Sequence, residues 1–523
     1  MPILKIDNRE VEVPPGATVL EAAQRLGIDI PTLCYREGCE PSTSCLVCMV
    51  KMGGNHRLVP SCGTVATEGM VIESETEEVH QVRRSALELL LSDHLGDCLA
   101  PCWFGCPANM DIPKMLRQIA AGDLRGAIAT VKADIALPAV LGRICPAPCE
   151  KVCRRAGLDG PVAICLLKRY VADTDLVSGN VYLPPCRPST GKRVAVLGGG
   201  PTGLSAVYYL AQQGHAVTVF DENEHLGGRL RRETSAERLP VEGLDAEIAT
   251  ITALGIEVCT NSRVGSDFSF SDLPEQFDAV LIAGGASAAA QAESWGLPSN
   301  AHGIVVNKAT FETSLPAVFA AGNAIRSGKG LVVRSVADGK EAAVSIGQFL
   351  AGQPVTGPSQ PFSTKIGRME PAELVQLSAG AEKSPRREAT AGFAPQEAAE
   401  QAARCLHCDC RALSTCRLRK YAAQYHADPR RYKAERRRFS QDAQHGEVIF
   451  EPGKCIDCGL CIQIAAAAGE RLGLTFIGRG FNVRVGVPLG HGMAEALAKV
   501  AAECIAACPT AALAWNDLPA KSG

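Results

Sequence analysis

Cysteine is 23 of the 523 residues, and nearly every one falls in a short-spaced group. Cys34, Cys45, Cys48 and Cys62 form the first group; Cys98, Cys102 and Cys106 form the second. Cys145, Cys149, Cys153 and Cys165 make a third, and Cys405, Cys408, Cys410 and Cys416 a fourth. The fifth holds Cys455, Cys458, Cys461, Cys504 and Cys508, while Cys39, Cys186 and Cys259 stand apart. Thiolates at these spacings suit iron–sulfur clusters, and a chain carrying several of them moves single electrons. The competing use of so much cysteine is a disulfide framework, but such frameworks belong to small, secreted, loop-rich domains. The segment from Met1 to Glu12 shows no apolar signal region, so the expectation is a cytoplasmic protein with reduced or metal-bound thiols.

Composition supports an ordinary globular core. Hydrophobic residues make up 46% of the chain and charged residues 21%, with a net charge of −3. That balance offers no global attraction to nucleic acid or to a membrane surface. No apolar run approaches the ~18–20 residues that span a bilayer, so membrane contact is expected only through a partner. The length suggests three or four domains, at roughly 150 residues for each.

At the amino terminus, Ile3–Ile6 and Val11–Val13 read as a hairpin turning at Asp7-Asn8, and Thr18 to Glu21 is a capping box opening a helix. The spacing C-x10-C-x2-C-x13-C from Cys34 to Cys62 then suits a [2Fe–2S] rhomb, two sulfurs to each iron. The wording Ile-Pro-Thr-Leu-Cys34 and Cys45-Leu-Val-Cys48 resembles the ferredoxin domain of [FeFe]-hydrogenases and of the large iron–sulfur subunit of complex I.

An amphipathic helix over Arg83–Leu91 leads to His94 and Cys98. The run Cys98-x3-Cys102-x3-Cys106-Pro107, followed by Cys145-Pro-Ala-Pro-Cys149-Glu-Lys-Val-Cys153, resembles the entry domain of the glutamate synthase small subunit and of dihydropyrimidine dehydrogenase. That resemblance implies two interleaved [4Fe–4S] cubanes. One would take Cys98, Cys102 and Cys153, with His94 in place of the family's first cysteine. The other would take Cys106, Cys145 and Cys149. The family's fourth ligand there is a Gln or Glu; this chain has Lys168, whose ammonium must lose a proton to coordinate. Cys165, three residues earlier on the same helical face, is the expected replacement.

From Arg193 the pattern alternates strand and helix. Arg193–Leu197 is a buried strand, Gly198-Gly-Gly200-Pro201-Thr-Gly203 opens a helix, and Val217–Phe220 is a second strand ending at Asp221. Such a turn places a pyrophosphate on a helix amino-terminus, with the acid on a ribose. Gly228-Arg229, Arg238 and Gly322-Asn323 resemble flavin-contacting segments of the glutamate synthase relatives, which implies FAD; Asn323 stands where those proteins usually carry Asp. These relatives insert a nicotinamide-binding domain between their two FAD halves. Here the strand before Gly284-Gly285 reaches Val318 after a link too short for a whole βαβ domain, so the chain is not expected to bind NAD(P)H alone.

The stretch from Pro354 to Pro395 reads as a linker, and a helix from about Gln396 leads into Cys405. Cys405, Cys408, Cys410 and Cys416 suit either a [4Fe–4S] cluster or zinc. Between Arg411 and Arg438, ten Lys or Arg accompany two acids, Asp428 and Glu435. This run is either a solvated helix face or a dock for an acidic protein such as ferredoxin; no aromatic set accompanies it for nucleic acid. Cys455-x2-Cys458-x2-Cys461 is a cubane signature. Its remote ligand is Cys504 or Cys508, and resemblance to the closing motif of the complex I subunit favours Cys508.

The expected fold is multidomain, α+β and α/β. It comprises a β-grasp-like [2Fe–2S] ferredoxin domain (1–80), a helical two-cubane domain (81–186) and a Rossmann-like FAD domain (190–352). A linker (353–396), a Cys-rich helical segment (397–440) and a cubane ferredoxin-like domain (441–523) complete it. The expected cofactors are FAD, one [2Fe–2S] and about four [4Fe–4S] clusters. The expected role is that of an electron-transfer flavoprotein subunit of a multisubunit oxidoreductase. Its partners would be a diaphorase-type flavoprotein subunit and/or ferredoxin, together with a catalytic subunit, and electron bifurcation is one role such complexes offer. Two alternatives stay open: a self-sufficient NAD(P)H:acceptor oxidoreductase, and an interaction scaffold carrying structural zinc.

Overall fold

The structure, a computed structural model, describes residues 1–54, 57–328, 330–387, 392–432, 435–443 and 445–516. The chain gathers into two compact units. Unit 1 holds Met1–Ala100, Pro361–Gly380 and His407–Gly523; unit 2 holds Pro101–Gln360 and Ala381–Leu406.

Unit 1 begins with strands β1 (Ile3–Ile6) and β2 (Arg9–Glu12), paired antiparallel from Ile3 opposite Glu12 to Ile6 opposite Arg9. Asp7 and Asn8 turn the hairpin with φ of 46° and 65°, left-handed values that short polar side chains tolerate. With β3 (Met49–Met52), β4 (Arg57–Pro60) and β5 (Val71–Glu73) they make one sheet in the order β2-β1-β5-β3-β4. The β1–β5 pair is parallel, so the sheet has the mixed order of a β-grasp. The helix Val19–Arg25 buries Val19, Leu20, Ala22 and Ala23, and both halves of the Thr18–Glu21 capping box are formed. The next helix, Glu77–Ser92, starts six residues before the Arg83 expected from sequence. Its first turn was concealed because Glu77, Glu78 and Gln81 are polar.

Unit 2 combines helices, among them Ile112–Ala120, Leu124–Asp134, Pro138–Ile144 and Ile164–Leu176, with a five-stranded sheet. The sheet strands are β6 (Arg193–Leu197), β7 (Ala216–Phe220), β8 (Glu257–Cys259) and β9 (Ala279–Ile282). A two-residue pair, β10 (Ser299–Asn300) and β11 (Gly303–Ile304), precedes the last sheet strand, β12 (Val318–Ala320). The sheet order is β12-β9-β6-β7-β8 and every neighbouring pair is parallel. This all-parallel sheet is buried on both faces, as the unbroken apolar strands require. The helix Pro201–Gln212 joins β6 to β7, and the helix Val332–Leu350 packs against it. A Cβ on Gly339 would come within 2.2 Å of the Thr202 carbonyl oxygen, so glycine permits this approach. The helical part is tied to the sheet part by Glu247, whose carboxylate accepts from Ala139 N and Val140 N at 2.7 Å each. These are orphan donors at the start of the helix that leads to Cys145.

The carboxy-terminal part of unit 1 carries two short antiparallel pairs. One joins β13 (Val448–Phe450) to β16 (Leu513–Trp515); the other joins β14 (Thr475–Ile477) to β15 (Arg484–Gly486). The stretch read from sequence as a linker is not featureless: Pro371–Leu377 is helical and carries the buried Glu373. Glu373 accepts both Arg436 guanidinium nitrogens at 2.8 Å, Phe439 N at 2.6 Å and Glu370 N at 2.8 Å. The basic run is likewise held within unit 1. Arg431 pairs with the buried Glu88 at 3.3 Å, Arg437 with Asp93 at 2.5 Å, and Arg417 donates to Ala507 O at 3.1 Å. These arginines fasten the unit's own segments together.

Arg436 holds the Glu373 carboxyl at about 2, against an ordinary 4.5. Because the folded value lies below the unfolded one, this ion pair stabilises fully above pH 4.5 and loses its contribution as pH falls toward 2. Glu373→Gln is therefore expected to cost about 2 kcal/mol at pH 7. Denaturation midpoints of the two proteins should converge as the pH drops below 4.5; a gap that stays constant on acidification would contradict the assignment.

Candidate functional site

A cavity of 610 Å³ opens over the carboxyl ends of β6, β7 and β9 in unit 2. That volume is in the range of small-molecule and cofactor sites, and its position is where open parallel sheets bind nucleotides. Of the residues expected from sequence, Gly198, Gly200, Pro201, Asp221, Gly228, Arg229 and Asn323 line it. Gly203, Arg238 and Gly322 do not. Gly203 and Gly322 serve instead by close approach: a Cβ on Gly203 would lie 1.8 Å from Gly198 O, and one on Gly322 2.2 Å from the Thr202 hydroxyl. Arg238 donates to Ile144 O at 3.1 Å. Sequence reasoning missed Glu222, Arg232, Ser262, Arg263 and Ser335 on the cavity wall. Arg232 had a signal, since it follows Gly228-Arg229 within one helical turn; Ser262 and Arg263 lie beyond β8 with no motif around them.

The residues fit a dinucleotide. A Cβ on Gly200 would meet nothing within 4 Å, so its backbone faces open cavity at the amino-terminus of the Pro201–Gln212 helix. Arg229, Arg232 and Arg263 stand on the same wall, Arg229 paired with Glu233 at 2.7 Å and Arg263 with Glu222 at 3.5 Å. Asp221 is buried; one of its oxygens accepts from Gly199 N at 2.7 Å and the other from Asn223 N at 2.9 Å. It thus braces the glycine turn while keeping acceptor capacity toward the cavity. Between β9 and β12 lie a helix Gly285–Gln291, a short turn and the β10–β11 pair, with no second parallel sheet.

The cysteine groups follow. Within the first, Cys48 Sγ lies 3.3 Å from Cys62 Sγ. Thiol hydrogen bonds from Cys45 and Cys62 hold Cys34 well below the ordinary thiol value. Thr43 and Leu46 adopt left-handed backbone in this loop, and a Cβ on Gly63 would strike the Thr43 methyl at 2.5 Å. Strain of this kind at non-glycine positions gathers at functional loops.

Cys106, Cys145, Cys149 and Cys165 come together in unit 2 around Lys168. Cys165 is hydrogen-bonded to the thiols of Cys145 and Cys149 and is lowered by them. Burial alone would lower the Lys168 ammonium, yet the nearby sulfurs of Cys165, Cys145, Cys106 and Cys149 raise it. A lysine kept protonated supplies charge compensation and no lone pair, which leaves Cys165 as the sulfur available in that quarter.

Cys455, Cys458, Cys461 and Cys508 line a single small cavity in unit 1, with Ile456, Leu460 and Val485 among its apolar walls. Cys504 is absent from that wall and points its thiol at Cys461 O, 3.7 Å away. Asp457 and Gly459 have left-handed backbone within the loop. Burial raises the thiols of Cys455, Cys458 and Cys461, Cys458 to about 11. Metal binding would release those protons.

The loop of the first group sits on this one. Glu40 N donates to Gln463 Oε1 at 2.8 Å and Gln463 Nε2 to Glu40 O at 3.0 Å. Ser42 Oγ donates to Cys458 O at 3.0 Å, and Arg36 pairs with Glu503 at 2.7 Å. The remaining predicted ligands divide between the units: His94, Cys98, Cys408, Cys410 and Cys416 belong to unit 1, Cys102, Cys153 and Cys405 to unit 2. Among the described residues, no set of three or more His, Cys, Asp or Glu closes to the spacing of a single bound ion.

Three family models match in the order of these sites. Residues 3–77 match the 2Fe-2S iron-sulfur cluster binding domain, and residues 78–180 the 4Fe-4S cluster domain II of dihydropyrimidine dehydrogenase. Residues 196–254 match an NAD(P)-binding Rossmann-like domain. The chain is a multidomain α+β protein with a [2Fe–2S] domain, a [4Fe–4S] domain and a Rossmann-like nucleotide-binding domain.

Among curated proteins, the chain is 39% identical over 213 residues to the beta subunit of NADP(+)-dependent formate dehydrogenase from Moorella thermoacetica, covering 37% of this chain and 30% of that one. It is 38% identical over 208 residues to the PreT subunit of NAD-dependent dihydropyrimidine dehydrogenase from Escherichia coli (strain K12), covering 39% and 49%. It is 37% identical over 193 residues to the small chain of NADPH glutamate synthase from Mycobacterium tuberculosis (strain CDC 1551 / Oshkosh), covering 37% and 40%. The chain spans less than half the length of these relatives. All three are parts of oxidoreductases. Among the described residues, no helix is long and apolar enough to cross a membrane.

Proposed function

We propose that the chain is an electron-relay flavoprotein subunit of a multisubunit oxidoreductase, holding one [2Fe–2S], four [4Fe–4S] and FAD. The observation that carries this reading is the contact between the Cys34–Cys48 loop and the Cys455–Cys461 loop, which packs two cluster-type cysteine groups against each other. Such an arrangement suits electron transfer between neighbouring centres. Cys34, Cys45, Cys48 and Cys62 hold the [2Fe–2S]; Cys106, Cys145, Cys149 and Cys165 hold one cubane and Cys455, Cys458, Cys461 and Cys508 another.

When bound, FAD exchanges electrons in pairs or singly, which joins a two-electron donor to one-electron carriers. The chain's own residues position it. The Gly198–Pro201 turn and the helix behind it receive the diphosphate, Arg229, Arg232 and Arg263 offset its charge, and Asp221 and Glu222 accept from a ribose. The partners are a diaphorase-type NAD(P)H-oxidising subunit or a ferredoxin on one side and a catalytic subunit on the other. Electron bifurcation at the flavin is one role that such a partner set offers.

The Rossmann-like match and the nicotinamide-dependent names of the relatives favour a second reading, a self-sufficient NAD(P)H:acceptor oxidoreductase. Anaerobic mixing of the purified holoprotein with NADH or NADPH separates the two. The relay reading expects the flavin absorbance to persist until a diaphorase partner is added; immediate bleaching without a partner would establish the second. Metal analysis that returned zinc and no iron would remove both.

A further inference from the structure

The four cysteines of the Cys405–Cys416 run do not share one environment. Cys405 belongs to the apolar core of unit 2, against which Cys102 and Cys153 also pack. Cys410 and Cys416 belong to unit 1 and lie with Cys98. Cys410 N donates to Cys98 O at 3.1 Å, a backbone contact that fixes the two residues side by side. The chain then folds back on itself, Leu413 N bonding Cys410 O and Cys416 N bonding Ala412 O. Cys98, Cys410 and Cys416 are all buried, and the Cys98 thiol acts electrostatically on both others.

A fourth donor is close by. His94 precedes Cys98 by one helical turn's length of chain, and its Nδ1 is buried with no hydrogen-bond partner. The buried Lys454 ammonium acts on His94 and on Cys410 alike. A Cβ on Gly96 would touch both His94 Nε2, at 3.1 Å, and the Lys454 side chain, at 2.9 Å, so the three stand within one small volume. A buried imidazole nitrogen without a partner costs free energy unless something occupies its lone pair. Arithmetic points the same way. The cysteines from Cys98 to Cys416, leaving out Cys186 and Cys259, number eleven, one short of what three cubanes take at four ligands each.

We propose that His94, Cys98, Cys410 and Cys416 hold one [4Fe–4S] cluster, which separates Cys98 from Cys102 and Cys153, and Cys410 and Cys416 from Cys405. This assignment rests on the relay reading above and deepens it. The Cys416 turn abuts the Cys508 turn: Cys416 Sγ is 3.6 Å from Pro509 O, which also accepts from Leu418 N at 3.1 Å. The centre therefore neighbours the Cys455–Cys508 cubane, and Cys416 shares one buried cluster with Cys458 and with Cys34 and Cys45 of the [2Fe–2S] loop. Unit 1 then contains three neighbouring centres. Lys454, buried beside the His94 centre, is ion-paired with the equally buried Glu451.

The test uses the full holoprotein, reduced with dithionite under anaerobic conditions. In protein carrying ¹⁵N-labelled histidine, pulsed EPR is expected to show a nitrogen coupling on one reduced [4Fe–4S] signal. Cys98→Ser and Cys416→Ser should each remove that signal and one cluster's iron, while Cys405→Ser leaves it. His94→Cys should keep the cluster, abolish the nitrogen coupling and lower the potential, since a thiolate adds negative charge. Absence of any histidine coupling in the wild-type protein, or loss of the same signal in Cys405→Ser, would overturn the assignment while leaving the relay standing. A preparation free of iron would overturn the relay and the assignment together.

Discussion

Gly203→Ala will give a chain that retains its iron but carries almost no flavin. The added methyl would sit 1.8 Å from the carbonyl oxygen of Gly198. That atom is backbone, at the end of a strand paired on both sides, and cannot swing aside as a side chain would. Nor can the turn shift as a whole. Gly198 has φ of 107°, and a Cβ there would be 2.7 Å from Gly284 Cα, so the turn is already pressed against the strand end beside it. Overpacking of this kind typically costs about 1–3 kcal/mol, and a clash between backbone atoms belongs at or beyond the upper end. The helix must move off the sheet, and the cavity wall formed by Gly198, Gly200 and Pro201 moves with it. Gly200→Ala provides the contrast. Its methyl meets nothing within 4 Å and its φ of −75° suits any residue. That protein should fold with unchanged stability and bind flavin more weakly, because the methyl occupies space reserved for the ligand. Flavin per chain, flavin released on denaturation and iron per chain distinguish the two variants. Equal flavin in Gly203→Ala and wild type would show that the cavity is not the nucleotide site.

The second large effect is expected at Cys508. Cys508→Ser should abolish the carboxy-terminal cubane, whereas Cys504→Ser should leave iron content and EPR unchanged within error. Both residues are cysteines after the same Cys455–Cys461 loop, and both are within the reach that a remote ligand needs. Their directions decide between them: Cys508 opens on the cavity shared with the other three sulfurs, and Cys504 turns away to bond Cys461 O. Cys504 is fully buried, and burial raises its thiol to about 12, the state of a core residue that stays protonated. Losing the cubane in Cys504→Ser while keeping it in Cys508→Ser would reverse the assignment.

Features set by neighbours in sequence were legible in advance. The Thr18–Glu21 cap, the Asp7-Asn8 turn, β6 and the glycine turn each depend on a few adjacent residues, and each has the expected form. The thiols of Cys34, Cys45, Cys48 and Cys62, grouped in sequence, also stand together in the structure. What stayed hidden depends on contacts between distant segments. Spacing within Cys405–Cys416 says nothing of Cys98, whose carbonyl receives the Cys410 N–H. A proline- and serine-rich stretch gives no hint that Glu373 within it anchors Arg436. Arg238 has the right motif around it yet spends its guanidinium on the Ile144 carbonyl, because the helix ending there brings an unpaired acceptor within reach.

Glu40 and Gln463, the residues that clasp the two loops, are 423 positions apart in sequence. During synthesis the amino-terminal lobe therefore emerges, and can take its metal, long before the segment that will cover it exists. Until then its loop presents uncapped amide and carbonyl groups and an oxidisable inorganic core to the surroundings. The clasp is thus a seal applied last, and the interval before it closes is when the nascent protein is most exposed to oxygen. Slowing translation of the final segment should harm the yield of intact amino-terminal centres more than that of the parts enclosed within unit 2.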